Sequence, residues 1–177
     1  MKTISNTLLC IASSLILSIN SALALEVGDE APNFMLQATD GNSYSLSQFE
    51  DEKTIVLAWF PKAFTSGCTI ECKSLAENGH LISDYDARYF MISVDPLDTN
   101  TAFAEEHGAD FPLLSDPTKE TASNYDVLAS YGLAERHTFY IGEDGKILKI
   151  DRSINPATSA EDIAKTLDEL GVALAGN

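Results

Sequence analysis

The chain has 177 residues, with 11 Lys and Arg against 27 Asp and Glu and a formal charge of −16. So acidic a surface repels phosphate backbones and anionic lipid headgroups, which argues against nucleic-acid binding and against a role on a membrane surface. A hydrophobic content of 45% is enough for one packed domain.

In chain order, Lys2 precedes an apolar run over residues 8–19, too short to cross a bilayer, and Ala22-Leu23-Ala24 follows as a small-x-small site. This is the pattern of a secretory signal peptide, with cleavage expected after Ala24 and Cys10 discarded. The mature domain is then residues 25–177, exported and expected in the periplasm. Losing Lys2 takes its formal charge from −16 to −17.

Residues 33–37 alternate apolar and polar, Asp40-Gly41-Asn42 is a turn signal, and residues 43–46 continue as a second strand. The pair predicts an N-terminal β-hairpin. The near-continuous apolar run 54–60 predicts a buried central strand ended by Pro61. A helix is expected over 65–85, weakened at Gly79, then a second buried strand over 88–94. An acidic helix over 98–107 is capped by Gly108, a short extended piece covers 111–115, and a short helix covers 118–125. Two strands, 137–141 and 146–150, flank the turn Gly142-Glu143-Asp144-Gly145. The last element, 158–170, is a helix with Ile163, Leu167 and Leu170 on one face. This order predicts a three-layer α/β/α sandwich on a mixed central sheet, similar to the thioredoxin fold, with the hairpin as an N-terminal extension.

The mature chain keeps two cysteines, Cys68 and Cys72. A bond between residues so close closes too short a loop to stabilise a domain of this size, so the pair points to redox or metal chemistry. Cys68 falls at the start of a helix, where unpaired N–H groups and the helix dipole favour thiolate over thiol. Read blandly, Cys68 is a small buried hydrophobe, Thr65 an N-cap, Pro61 a strand terminator and Arg136 a surface cation. A strand–Pro–turn–helix junction is expected instead to expose Cys68. Side chains at i and i+4 have Cβ atoms roughly 5–6 Å apart, whereas a disulfide needs roughly 3.5–4.5 Å. Joining Cys68 to Cys72 therefore requires the first helical turn to unwind, and oxidation is expected to loosen residues 66–74. His80 and His107 fall in polar helix ends and are expected to be solvated. Arg136 precedes a strand expected to border the Cys68 helix, where a guanidinium would favour the thiolate and hold a peroxide oxygen.

Pro61-x-x-x-Thr65-x-x-Cys68 resembles the active-site signature of the peroxiredoxins, the alkyl hydroperoxide reductase and thiol-specific antioxidant superfamily. Residues 40–49 resemble its early hairpin, 111–117 a later segment, and 136–141 the strand that begins with its active-site arginine. The likeness is strongest to the bacterioferritin-comigratory or Q class, whose resolving cysteine shares a helix with the peroxidatic one. The resemblance implies a peroxidatic Cys68, a peroxide-binding Thr65, a charge-stabilising Arg136, a shielding Pro61 and a resolving Cys72. It implies peroxide as substrate, a thioredoxin-like reductant, no cofactor, no metal, and a monomer or weak dimer. One departure bears on Cys72: the Q class usually spaces the two cysteines by five residues, and here the gap is four. If Cys72 does not resolve, this is a one-cysteine enzyme using an external thiol. Cys68, Cys72 and His137 also resemble the ligand set of exported copper chaperones of the same fold type, two soft sulfurs and an imidazole suited to copper. A thiol–disulfide oxidoreductase acting on proteins is a weaker alternative, since it usually carries Cys-x-x-Cys.

Overall fold

A computed structural model describes residues 24–176; the expected signal peptide, apart from its last residue, lies outside the described residues. Seven strands form one mixed sheet: β1 (Met35–Ala38), β2 (Ser43–Ser45), β3 (Thr54–Trp59), β4 (Ala87–Ser93), β5 (Leu113–Ser115), β6 (Thr138–Ile141) and β7 (Ile147–Asp151). Their spatial order is β2-β1-β5-β4-β3-β6-β7. β3 and β4 pair in parallel, as do β4 and β5; the other pairings are antiparallel. Every residue of β3 is buried, which is why it reads as a continuous apolar run rather than an alternation. Leu46, expected to continue the second strand, instead opens a short 3-10 turn, Leu46–Gln48, and buries its side chain there.

The helices are α1 (Ser66–Asn78), α2 (His80–Ser83), α3 (Leu97–His107), α4 (Glu120–Asn124) and α5 (Ser159–Glu169). The two faces of the sheet are covered unequally. Val56, Ala58 and Tyr140 face a core built from α1, α2, α3 and α5, including Cys68, Leu75, Ile82, Phe103, Ile163 and Leu167. Leu57, Trp59 and Phe139 face a second core closed by Ala122, Tyr125 and the segment through Ala134, with Phe34 from the N-terminal region. The expected three layers are present, with the site helix in the heavier one.

The expected weakness at Gly79 has a steric origin. Its φ of −59° is ordinary helix, so flexibility is not what the position needs. A Cβ there would stand 2.2 Å from Tyr89 Oη, so only glycine lets the end of α1 pass the side chain from β4. Gly108, in contrast, caps α3 with φ 68°, a left-handed conformation that glycine adopts without penalty.

Candidate active site

Cys68 lies in the first turn of α1, at the carboxyl end of β3, where open α/β sheets commonly place their chemistry. The connection between them, residues 61–65, is fixed at several points. Asp95, buried after β4, accepts from the Ala63 amide at 2.9 Å and from Ser93 Oγ at 3.0 Å. Phe64 sits in the left-handed region at φ 62°, half-exposed, with its ring edge-on to Phe103 at 5.3 Å. The backbone strain of a non-glycine residue there, of order 1–3 kcal/mol, is held by that packing.

Cys68 is fully buried, contrary to the expectation of an exposed junction. The loop folds Phe60 and Ala63 into the same core as Phe103, and Cys68 closes into that cluster beneath them. Burial does not leave it alone. Arg136 Nη2 donates to Cys68 Sγ at 3.1 Å, and Nη1 of the same guanidinium pairs with Glu71. One cation thus spans the sulfur and a fully buried carboxylate one helical turn further on. Gly67 makes this approach possible, since a Cβ there would be 3.3 Å from Arg136 Nη2.

Glu71 escaped the sequence reading. It is completely buried, and Ser159 Oγ of α5 donates to its other oxygen at 3.4 Å. The signal was available: Cys68, Glu71, Cys72 and Leu75 share one helical face, and a carboxylate on an otherwise apolar stripe demands a cation. Asp95 was also missed, and nothing in its local pattern distinguishes it from a surface turn residue.

Thr65 occupies the N-cap of α1, as expected of its position, yet its side chain makes no capping bond. Its Oγ1 donates instead to the Lys62 carbonyl at 2.9 Å, closing the loop on itself. Pro61 is half-buried at the head of that loop. Cys72 is fully buried, and its thiol is pushed up to about 12, mainly by desolvation and secondly by the nearby Cys68. Both cysteines are free.

His80 is exposed, as expected, but His107 is not simply solvated. Its Nε2 lies 3.3 Å from Thr69 Oγ1, and its ring stands edge-on to Phe103 at 4.8 Å, tying the end of α3 to the residue after Cys68. His137 pairs with Glu135 at 3.5 Å, and burial pushes its pKa down. Among the described residues no group of three His, Cys, Asp or Glu side chains is placed to hold a metal ion, so Cys68, Cys72 and His137 do not assemble the copper set. A guanidinium on the Cys68 sulfur also opposes a bound cation.

A helix-start cysteine held by an arginine, on a thioredoxin-like sheet with an N-terminal hairpin, defines a thiol peroxidase of the peroxiredoxin class. Residues 27–150 match the family model described as AhpC/TSA, and the chain belongs to that family. Peroxiredoxin Bcp of Escherichia coli K12 is 32% identical over 130 residues, covering 70% of this chain and 83% of its own length. Peroxiredoxin Bcp of Bacillus subtilis is 28% identical over 155 residues, covering 84% and 98% respectively. Among solved structures, the peroxidoxin BcpB of Mycobacterium tuberculosis superposes with a TM-score of 0.73 at 29% identity, over 82% of this chain and 97% of that one. A mutant of Xylella fastidiosa PrxQ shares the fold, with a TM-score of 0.72 at 24% identity over 84% and 99%. These likenesses put the chain with the Bcp peroxiredoxins rather than with the copper chaperones.

Proposed function

We propose that this chain reduces hydrogen peroxide and organic hydroperoxides through Cys68, and that Cys72 resolves the oxidised product. The observation that carries the reading is the bond from Arg136 Nη2 to Cys68 Sγ at 3.1 Å. The thiolate is the nucleophile, and a guanidinium so close meets its negative charge. The Cys68 thiolate attacks one peroxide oxygen, the O–O bond breaks, and the departing alkoxide or hydroxide takes a proton; Cys68 is left as a sulfenic acid. Arg136 then faces the negative charge developing on the leaving oxygen. Thr65 meets the peroxide after its hydroxyl turns from the Lys62 carbonyl, and Pro61 limits water at the sulfur.

In the second step the Cys72 sulfur attacks the Cys68 sulfenic sulfur, forming the disulfide and releasing water. A thioredoxin-like dithiol reduces that disulfide by exchange. Cys72 is buried and held protonated in native α1, so this step follows unwinding of residues 66–74. We place the protein outside the inner membrane, as a monomer or weak dimer, after cleavage behind Ala24; a soluble acidic domain of residues 25–177 is consistent with that.

The test is intact mass of reduced residues 25–177 after one equivalent of hydrogen peroxide. Wild type is expected to lose two hydrogens, Cys72→Ser to gain one oxygen, and Cys68→Ser not to react. Wild-type protein that reacts no faster than a free thiol would sink the peroxidase reading. Wild type that gains oxygen without losing hydrogens makes it a one-cysteine enzyme.

A further inference from the structure

Three polar bonds tie α1 to the first turn of α5, and they climb one face of α1 in order. Glu71 accepts from Ser159 Oγ at 3.4 Å, Ser74 Oγ accepts from the Ala160 amide at 3.3 Å, and Asn78 Nδ2 donates to Glu161 Oε1 at 3.1 Å. The lowest of the three is buried, its two partners being Glu71, fully enclosed, and Ser159, 2% exposed. That one lies beside Cys72, while the other two lie beyond it toward the end of the helix.

We infer that Ser159 is a positioning residue for the second half of the reaction: its bond to Glu71 sets how readily α1 unwinds, and so whether oxidised Cys68 forms a disulfide or is oxidised further. This rests on the peroxidase reading above. The two cysteines cannot meet while α1 keeps its helical spacing, roughly 5–6 Å between Cβ atoms against the roughly 3.5–4.5 Å of a disulfide. Loosening the chain between them moves Glu71, which must leave Ser159. Ser74 stands at the edge of the segment that unwinds and Asn78 lies beyond it, so the Asn78 bond need not break for the two cysteines to meet. Meanwhile the sulfenic acid has two fates. It condenses with the Cys72 thiol, releasing water, or as the sulfenate it attacks a second peroxide, giving sulfinic acid and an alcohol or water. A slower unwinding step leaves more time for the second.

The experiment treats reduced wild type, Ser159→Ala, Ser159→Thr and Asn78→Ala with a fixed excess of hydrogen peroxide, and reads the ratio of disulfide to sulfinic acid by intact mass. A hydrogen bond of ordinary net strength corresponds to about a fivefold change in an equilibrium. Ser159→Ala is therefore expected to raise the ratio about fivefold. Ser159→Thr, which keeps the hydroxyl, should return it toward wild type, and Asn78→Ala should leave it unchanged. A general loosening of the α1–α5 contact would move Asn78→Ala as well, and that result overturns the inference. So does a Ser159→Ala ratio equal to wild type. If wild type itself forms neither product, the peroxidase reading fails first, and the inference with it.

Discussion

At the scale of single residues, the site depends on how closely Arg136 can approach Cys68, and Gly67 controls that distance. A methyl group at Gly67 would stand 3.3 Å from Nη2, closer than ordinary contact, so the guanidinium must retreat from the sulfur. Alanine is also the better helix former by about 1 kcal/mol. Gly67→Ala is thus expected to leave thermal stability unchanged or higher while slowing the reaction of Cys68 with peroxide about tenfold, the rate equivalent of about 1.4 kcal/mol. Stopped-flow kinetics beside a melting curve separate the two effects. A second residue carries the opposite lesson. Thr138, at the head of β6, is buried and its hydroxyl has no partner. Valine has nearly the same shape without the unsatisfied group, so Thr138→Val is expected to stabilise the protein by about 1 kcal/mol in denaturant unfolding. The meeting of Cys68 and Arg136 was legible in the sequence because one stands at a recognisable helix start and the other at the head of a recognisable strand. Glu71 was harder to read, because a carboxylate in a helix looks solvated until the face it shares with Cys68, Cys72 and Leu75 is traced. The burial of Cys68 was not legible at all, since it depends on the fold of residues 61–65 over it and on Phe103 arriving from α3.

At the scale of elements, the seven strands of the described residues fall where apolar runs and turn residues foretold, within a few residues at their ends, and the four expected helices appear as five because the one over 65–85 divides at Gly79. What the pattern could not supply was the reason for the break between α1 and α2. Glycine in a helix usually signals lost entropy or a bend, whereas here it signals a neighbour. The Tyr89 phenol from β4 occupies the space a side chain at position 79 would need, 2.2 Å from an added Cβ. Overpacking of this kind costs roughly 1–3 kcal/mol. Gly79→Ala is expected to lose that much despite the gain in helix propensity. The same substitution in a Tyr89→Phe background should lose less, because the phenol oxygen is gone; the Leu75 carbonyl, 2.6 Å from the added Cβ, keeps part of the penalty. Four denaturant curves make the double-mutant cycle. Additive losses would show that Tyr89 is not the obstacle.

At the scale of the whole molecule, redox chemistry and folding stability share a buried thiol. The Cys72 thiol is raised from an ordinary value of 9.0 to about 12 by burial and by the nearby Cys68, so the folded state prefers it protonated. Its contribution to stability is fully present below pH 9 and is lost as pH rises toward 12, because only the unfolded chain releases the proton easily there. The loss approaches 1.4 kcal/mol per pH unit within that window. Tyr89 is likewise pushed up to about 12 by burial, and it titrates with the same sign, from its ordinary 10.0 upward. Alkaline unfolding of the reduced protein therefore has more than one source, and a single curve cannot assign it. The difference between wild type and Cys72→Ala can. Cys72→Ala is expected to be less stable at pH 7, through lost packing, and to close the gap on wild type between pH 9 and 12 as wild type loses its thiol term. Parallel stability curves across that window would mean that Cys72 titrates normally in the folded protein. Cys72 would then reach its thiolate without any unwinding of α1, and the order of steps in the disulfide reaction would have to be reversed.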